Sequence, residues 1–153
     1  MKKISFWTAI IGLMAMLAGF VSCNKDESSI SVSEIAGSWE LVGGRSSQTY
    51  TGNDDGESWN YEFSKNNGPE LSWLKRIGDI LVINSDGTGK SPTYYGNFEY
   101  TLKGNKLICR FKNYDDDYIF VVKEVTADKL VLYFQEKDSD GEFYEEYIFS
   151  RVK

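Results

Sequence analysis

Histidine is absent from this chain of 153 residues. The commonest general base near neutral pH and the commonest zinc ligand are therefore both missing. Serine–histidine–aspartate and cysteine–histidine arrangements are excluded, so an enzyme would depend on carboxylates, tyrosine or lysine alone. Since no such constellation stands out, we predict that the protein is not an enzyme and has no catalytic residue, no metal site and no cofactor.

Cysteine and clustered positive charge are also scarce. The chain has only two cysteines, Cys23 and Cys109. Cys109 lies in "KLICRF" between apolar residues, which predicts a buried and inert thiol. Lys and Arg number 17 against 23 Asp and Glu, a net charge of −6, and no basic cluster occurs. A nucleic-acid partner is therefore not expected, because phosphates require lysine and arginine.

The segment before Cys23 has the features of an export signal. Lys2 and Lys3 precede an apolar run whose uninterrupted part, 9–21, has 13 residues. A membrane-spanning helix needs about 20 residues, so the run suits the hydrophobic region of a signal peptide. The sequence "FVSC" resembles the lipobox of bacterial lipoproteins. This resemblance implies cleavage before Cys23 and lipid attachment to it. An ordinary signal peptide with an incidental cysteine is the alternative.

These features predict three segments: a lipoprotein signal peptide at 1–22, a flexible tether at 23–34 and one domain at 35–153. After Cys23 the tether continues with "NKDESS", which is too polar to pack. Three acyl chains would anchor the protein stably, so the membrane is its expected partner through the N-terminal lipid. "KDE" resembles the acidic export signal of surface lipoproteins of the Bacteroidota, which implies the outer membrane with display at the cell surface. The periplasmic leaflet is the alternative.

From residue 35 onward the pattern is that of β-strands. Aromatic and β-branched residues recur with a period of two. Eight strands are predicted, at 37–44, 58–64, 78–84, 93–102, 105–111, 117–125, 129–136 and 142–152. A short helical turn is expected at 32–37, and another is considered at 68–78.

Short connections rich in Gly, Asn and Asp make consecutive strands antiparallel neighbours. A meander of eight strands removes its two exposed edges by closing into a barrel. The polar segment 45–57 is predicted to be a loop over one end of this barrel.

The first and last strands carry a resemblance to a known family. "GSW" at Gly37, Ser38 and Trp39 resembles the Gly-x-Trp signature of lipocalins and other calycins, and Arg151 in "FSRVK" matches their late arginine. Residues 35–152 resemble the lipocalin-like domains of Bacteroidota lipoproteins. The resemblance implies an all-β fold, an eight-stranded antiparallel up-and-down barrel after the signal peptide. It also implies that Trp39 plugs the closed end beneath the Arg151 guanidinium.

Inward-facing aromatic residues are the candidates for a ligand site. Strand parity predicts that a pocket for an apolar or flat molecule would be lined by Trp59, Tyr61, Phe98, Tyr100, Phe120, Leu132 and Tyr147. The alternative is that these large side chains fill a small barrel completely. Any remaining cavity is expected beside the 45–57 loop, opposite Trp39.

The acidic residues are predicted to have structural roles. Glu145 has the parity of Tyr147 and is the one candidate for a buried acid; we expect it to form an interior hydrogen bond or salt bridge. The acidic segments 53–57, 115–117 and 138–142 lack the full spacing of a calcium loop and suit solvated turns.

Two functions follow from the sequence. The first is a lipid-anchored lipoprotein whose barrel binds a small apolar ligand. The alternative is a filled barrel whose loops, 45–57 and 114–118, contact a partner protein or a glycan, including contacts of the inhibitor type. The sequence identifies no particular protein partner.

Overall fold

The computed structural model of the protein describes residues 29–50, 58–64, 77–92, 96–112 and 114–153. The predicted signal peptide, the greater part of the tether and residues 51–57 and 68–76 lie outside this part of the chain. The described residues form one helix, α1 (Val32–Ile35), and nine strands: β1 (Gly37–Tyr50), β2 (Trp59–Ser64), β3 (Ile80–Ile83), β4 (Thr88–Lys90), β5 (Asn97–Lys103), β6 (Lys106–Phe111), β7 (Asp117–Val125), β8 (Lys129–Lys137) and β9 (Gly141–Arg151).

Eight of these strands form a closed ring. Each of β3 to β8 pairs with the next strand along the chain, and β1 pairs with both β3 and β9. All of these pairings are antiparallel. The predicted fold class, an all-β, eight-stranded, antiparallel up-and-down barrel, is confirmed. Among the described residues, none of the helices has the length and apolar character needed to span a bilayer.

The predicted second strand, β2, is not a member of this ring. It pairs with β1 over Gly43 to Gln48, above the point where β3 pairs with β1 over Gly37 to Glu40. The simple meander was therefore wrong at this position. The physical reason is the length of β1: its 14 residues offer the same edge to two strands in succession.

The ring keeps eight members because of β4, which the sequence did not predict. Its three residues, Thr-Gly-Lys, have no apolar alternation, yet they pair with β3 and β5. The turn before β4 is held by Asp86, whose carboxylate accepts hydrogen bonds from the Thr88 backbone N–H at 3.0 Å and from its hydroxyl at 2.6 Å. The strand predicted at 93–102 accordingly begins later, at Asn97; residues 93–95 lie outside the described residues.

The prediction of a loop over 45–57 was wrong for its first six residues. Residues 45–50 continue β1, which pairs with β9 over all six of these residues and with β2 over 45–48. Neighbours on both sides satisfy the backbone N–H and C=O groups, so polar side chains do not prevent a strand. A register shift between Leu41 and Gly43 brings Ser46 to the inner face.

The barrel has two different ends. At the lower end β1 begins and β9 finishes, and α1 lies beside Trp39; at the upper end lie Tyr50 and Gly141, which pair with each other. One core lies inside the barrel, and its buried members come from inward positions of almost every strand: Ile35, Trp39, Leu41, Phe63, Leu81, Ile83, Phe98, Tyr100, Leu107, Cys109, Phe111, Phe120, Val122, Leu130, Leu132, Tyr147 and Phe149. Cys109 is buried as predicted, and burial raises the pKa of its thiol.

Candidate functional site

The lower end of the barrel is sealed by Trp39 and Arg151. Trp39 is fully buried, and its indole N–H donates to the Ile35 carbonyl oxygen at 2.7 Å. The guanidinium carbon of Arg151 lies 4.1 Å from the centroid of the Trp39 ring. The two residues are also register partners in the β1–β9 pairing that closes the ring. The predicted contact is therefore confirmed.

Arg151 also ties the chain around this end together. Its guanidinium donates to the carbonyl oxygens of Ala127 at 2.6 Å, Ala36 at 2.9 Å and Glu34 at 3.0 Å. Gly37 has a φ of 147°, and a Cβ there would collide with the same guanidinium. The glycine of the Gly-x-Trp pattern thus leaves room for the arginine, which explains why the three predicted closure residues occur together.

The predicted ligand-lining residues are distributed through the barrel. Five of the seven are buried in the core: Phe98, Tyr100, Phe120, Leu132 and Tyr147. Trp59 is half-buried at the upper end, with its ring edge-on to Phe143 at 6.2 Å between centroids. The backbone of Tyr61, in β2, pairs with that of Ser46 in β1; the side chain of Tyr61 lies outside the described part of the structure.

Only some of these residues meet. Phe120 and Tyr147 are in contact at 6.4 Å between ring centroids. Phe98 and Tyr100 pack against each other at 6.4 Å on β5, and Phe98 also packs on Phe111 at 5.3 Å. The Tyr100 hydroxyl donates to the Asn84 carbonyl oxygen at 2.5 Å, which gives this residue a structural role.

A continuous group of rings lies between the middle and the upper end; we call it the upper aromatic cluster. Phe134 lies at its centre, with ring centroids 5.8 Å from Phe120 and 6.2 Å from Phe143. These separations suit edge-to-face and offset contacts. Burial decreases toward the top, since Phe120 is buried whereas Phe134 and Phe143 are half-buried. The members of the cluster are Trp59, Tyr118, Phe120, Phe134, Phe143 and Tyr147.

Glu145 lies among these rings, as the strand parity predicted. Its side chain is 3% exposed, between Phe143 and Tyr147 on the inner face of β9. The Ser46 hydroxyl donates to one carboxylate oxygen at 3.5 Å, and the Tyr147 hydroxyl donates to the other. Cross-strand register places Ser46 on one side of Glu145 and Phe134 on the other. Among the described residues, the surroundings of Glu145 thus combine an apolar wall with this acidic group and the hydroxyls of Ser46 and Tyr147.

Sequence reasoning missed two members of this arrangement. Ser46 was assigned to a loop, and only the pairing of β1 with β9 reveals that it faces Glu145. Phe143 was overlooked, although it shares the parity of Glu145 and Tyr147 and could have been found from that signal.

The outer wall carries a separate cluster of charges around Glu146. Its carboxylate accepts from Lys123 Nζ at 2.5 Å, from the Tyr144 hydroxyl at 2.8 Å and from Arg45 at 3.4 Å. Burial opposes ionisation of this group, but these donors outweigh it and hold the pKa of Glu146 below its usual value. The cluster joins β1, β7 and β9 on the outside of the barrel.

A groove of about 830 Å³ runs along β3, β4, β5 and β6. Most of its lining residues are outward-facing polar ones, including Asn84, Lys90, Asn97 and Lys112. Among the described lining residues, Phe98 alone belongs to the predicted ligand-lining set, so this groove is not the predicted interior pocket.

Where they are described, the acidic segments lie at strand connections and continue into the first residues of β7 and β9. In 138–142 the Asp138 carboxylate accepts from the backbone N–H groups of Asp140 at 2.8 Å and Gly141 at 2.9 Å. In 115–117, Asp117 forms a two-pronged ion pair with Arg110 at 2.8 and 3.0 Å. Within the described ranges, no group of three or more acidic or cysteine side chains could hold a metal ion.

Comparison with protein-family models, with curated proteins and with solved structures gave no match to this chain. The likeness to calycins therefore rests on the molecule itself, on a closed eight-stranded antiparallel barrel whose ends are joined by Trp39 and Arg151.

Proposed function

We propose that this barrel binds a small, largely apolar molecule at its upper end. The observation that carries the proposal is the contrast between the two ends. The lower end is sealed by the fully buried Trp39 and by α1, whereas the upper end presents half-buried aromatic rings above a buried polar group, Glu145. Ligand sites in proteins are typically concave and apolar, with a few polar groups that fix the orientation of the ligand.

The upper aromatic cluster supports this location. Trp59 and Phe143 are half-buried, and both are on the inner face near the uppermost pairings of β1 with β2 and β9. A ligand that covers these rings would remove apolar surface from water, which is favourable by roughly 25 cal/mol per Å².

The binding proposal is tested by native mass spectrometry of the full chain purified from the organism that makes it. We expect a retained small molecule. Trp59→Ala should reduce its occupancy, because this change removes an aromatic surface at the upper end. Tyr133→Ala is the matched control, since Tyr133 stacks on Tyr144 on the outer face at 5.6 Å. A chain that carries no small molecule, or equal loss in both variants, would contradict the proposal.

We propose further that the domain is held at the outer membrane by lipid on Cys23, with display at the cell surface. The support is the apolar segment that ends at "FVSC" and the acidic "KDE" that follows. Cys23→Ala should lose partitioning into detergent, and Cys109→Ala should not. Unchanged partitioning of the Cys23 variant would refute lipid attachment. Protease treatment of intact cells distinguishes surface display from the periplasmic face.

A filled barrel that acts through surface contacts is the second candidate. It is favoured by one observation: five of the seven predicted lining residues are packed in the core. Tyr114, which is 39% exposed and packs edge-on against Tyr118, would belong to such a contact surface. The mass spectrum decides between the candidates, because a filled barrel carries no retained molecule. In neither case do we expect catalytic activity.

A further inference from the structure

From the position of Ser29 and the charges around it we infer that the lower end of the barrel is a membrane-facing surface, which lies against the anionic phosphate groups of lipids. The inference rests on the proposed lipid attachment at Cys23, because an anchor is needed to hold the domain at a bilayer. It adds the orientation of the domain: the lower end faces the membrane, and the upper end, with its half-buried rings, faces away from it.

The first argument is the place where the chain enters the domain. Ser29 and Ile30 line a groove of about 400 Å³ together with Asn105 and Val125. Ser29 therefore lies at the lower end, beside the β5–β6 connection and the last residue of β7. Cys23 precedes Ser29 by six residues, which span at most about 20 Å. A lipid on Cys23 thus holds the lower end close to the bilayer.

The length of the barrel excludes the opposite orientation. β9 crosses the wall with 11 residues; at about 3.3 Å per residue and a tilt of about 40°, it rises roughly 25 Å along the axis. The chain between Cys23 and Ser29 is too short to follow the wall from one end to the other. An anchored domain either stands on its lower end or lies on its side.

The charges of the two ends favour the first of these orientations. Among the described residues, the strand connections at the upper end, β6–β7 and β8–β9, carry Lys112 and four aspartates, at 115, 116, 138 and 140. The lower end, formed by 29–36, 84–87, 103–106, 126–128 and 151–153, carries three acidic side chains and four basic ones. Lipid phosphates attract lysine and arginine and repel aspartate. The basic side chains of the lower end are Lys103, Lys106, Arg151 and Lys153.

Lys103 and Lys106 give the lower end a local excess of positive charge. They are direct register partners across the β5–β6 turn, and both are exposed. Like charges directly opposite each other on a sheet are unfavourable, and within the described ranges neither ammonium group forms an ion pair. A phosphate group beside the pair would offset this repulsion. Because Asn105 shares the groove with Ser29, the pair lies where the anchor holds the domain closest to lipid.

The test measures how near each end lies to a bilayer. The full lipidated chain is reconstituted on phosphatidylcholine vesicles, with or without phosphatidylglycerol, and energy transfer is measured from a fluorophore to an acceptor on the lipid head groups. Ser85→Cys places the fluorophore at the lower β3–β4 turn, and Ser139→Cys places it at the upper β8–β9 turn. Since Cys109 is buried and Cys23 carries the lipid, only the introduced cysteine is labelled.

We expect at least twofold stronger transfer from position 85 than from position 139. Phosphatidylglycerol should raise this ratio further. Added salt should cancel the increase, because the Debye length falls from about 10 Å at 0.1 M to about 3 Å at 1 M ionic strength.

A double variant, Lys103→Gln with Lys106→Gln, provides the second measurement. It should lose most of the response to phosphatidylglycerol, because the charges that face the phosphates are gone. Lys90→Gln with Lys112→Gln is the matched control, since it removes two exposed charges from the outer wall nearer the upper end and should keep the response. The comparison of positions 85 and 139 needs neither double variant.

The outcomes separate this inference from the proposed anchor. Equal transfer from the two ends, a ratio that does not respond to phosphatidylglycerol, or an equal loss in the two double variants would overturn the inference and leave lipid attachment in place. A purified chain that does not remain on the vesicles would overturn both lipid attachment and the orientation.

Discussion

Arg151 illustrates how one side chain performs two tasks at the residue scale. It covers the Trp39 ring and donates hydrogen bonds to three carbonyl oxygens that belong to α1, to the residue after it and to the β7–β8 turn. A lysine could retain the charge but not the planar fork that reaches three acceptors. The stabilisation therefore depends on geometry as well as charge.

Arg151→Lys should lower the free energy of unfolding by about 1–2 kcal/mol, and Arg151→Ala by about 2–4 kcal/mol, because the cation–π contact and several charged hydrogen bonds are lost. Urea denaturation followed by tryptophan fluorescence measures both. Arg110→Lys is the control, since its ion pair with Asp117 is on the exposed surface, and it should leave the urea midpoint nearly unchanged. Equal effects of the two lysine variants would refute a special role for Arg151.

Cys109 gives a pH-dependent prediction at the same scale. Burial raises the pKa of its thiol, so the folded protein keeps the proton where the unfolded chain releases it. The stability due to this group is complete below the thiol's ordinary pKa, near 8.5, and declines as the pH rises beyond it.

Stability should therefore fall more steeply between pH 8 and 10 in the unaltered protein than in Cys109→Ala, as measured by urea unfolding at each pH. Two tyrosines with raised pKa, Tyr100 and Tyr144, contribute to the slope of both proteins, so the difference between them isolates the cysteine. Alkylation of Cys109 at pH 8.5 should need urea. Identical slopes, or labelling of the folded protein, would contradict the prediction.

At the scale of the elements, sequence periodicity is sufficient to predict some strands and insufficient for others. Alternation located β6, β7, β8 and β9 closely and the end of β5 to within one residue, because these strands have one face toward the core. It failed for β4 and for the second half of β1, which lack apolar alternation. Those residues are strands because neighbouring strands supply hydrogen bonds, and this information is absent from the local sequence.

The residues of the candidate site likewise include some that the sequence predicts and one that it does not. Glu145 and Tyr147 could be assigned to the interior from their parity on β9 alone. Ser46, the partner of Glu145 on β1, could not, because the register shift between Leu41 and Gly43 determines which residues of the upper half of that strand face inward. A site built across two strands is thus predictable only where both strands alternate regularly.

The upper half of β1 also depends on close packing at Gly44. A Cβ at this position would overlap the backbone oxygen of Glu146 and the ring of Phe63. Gly44→Ala should therefore lower the free energy of unfolding by about 2–3 kcal/mol, since the backbone of β9 cannot move aside cheaply.

Gly104→Ala is the control, because it introduces backbone strain but no collision of the added Cβ with a neighbour. Gly104 has a φ of 62°, and a Cβ there meets nothing within 4 Å, so we expect a cost of about 1 kcal/mol. Thermal unfolding followed by circular dichroism at 218 nm compares the two. A smaller loss for Gly44→Ala than for Gly104→Ala would show that β1 and β9 are not packed as described.

At the scale of the whole molecule, the two strands that close the barrel, β1 and β9, are joined by side-chain contacts on both the inner and the outer face of the wall. Inside, β1 and β9 meet through Ser46 and Glu145; outside, they meet through Arg45 and Glu146. Lys123 extends the outer contact to β7. The neighbouring residues Glu145 and Glu146 therefore form contacts on opposite faces of β9. Glu146, on the outer face, can be substituted without disturbing the proposed ligand site.

The donors around Glu146 hold its pKa below the ordinary value, so its contribution to stability is present above that value and is lost as the pH falls through the lowered pKa. Glu146→Gln should be about 1–2 kcal/mol less stable than the unaltered protein at pH 7, because Lys123 and Arg45 lose a charged acceptor. Between pH 5 and pH 3 its stability should fall less steeply. Glu99→Gln, which removes an exposed carboxylate, should keep the original slope. If the acid slope of Glu146→Gln matches that of the unaltered protein, the outer cluster does not contribute to closure of the barrel.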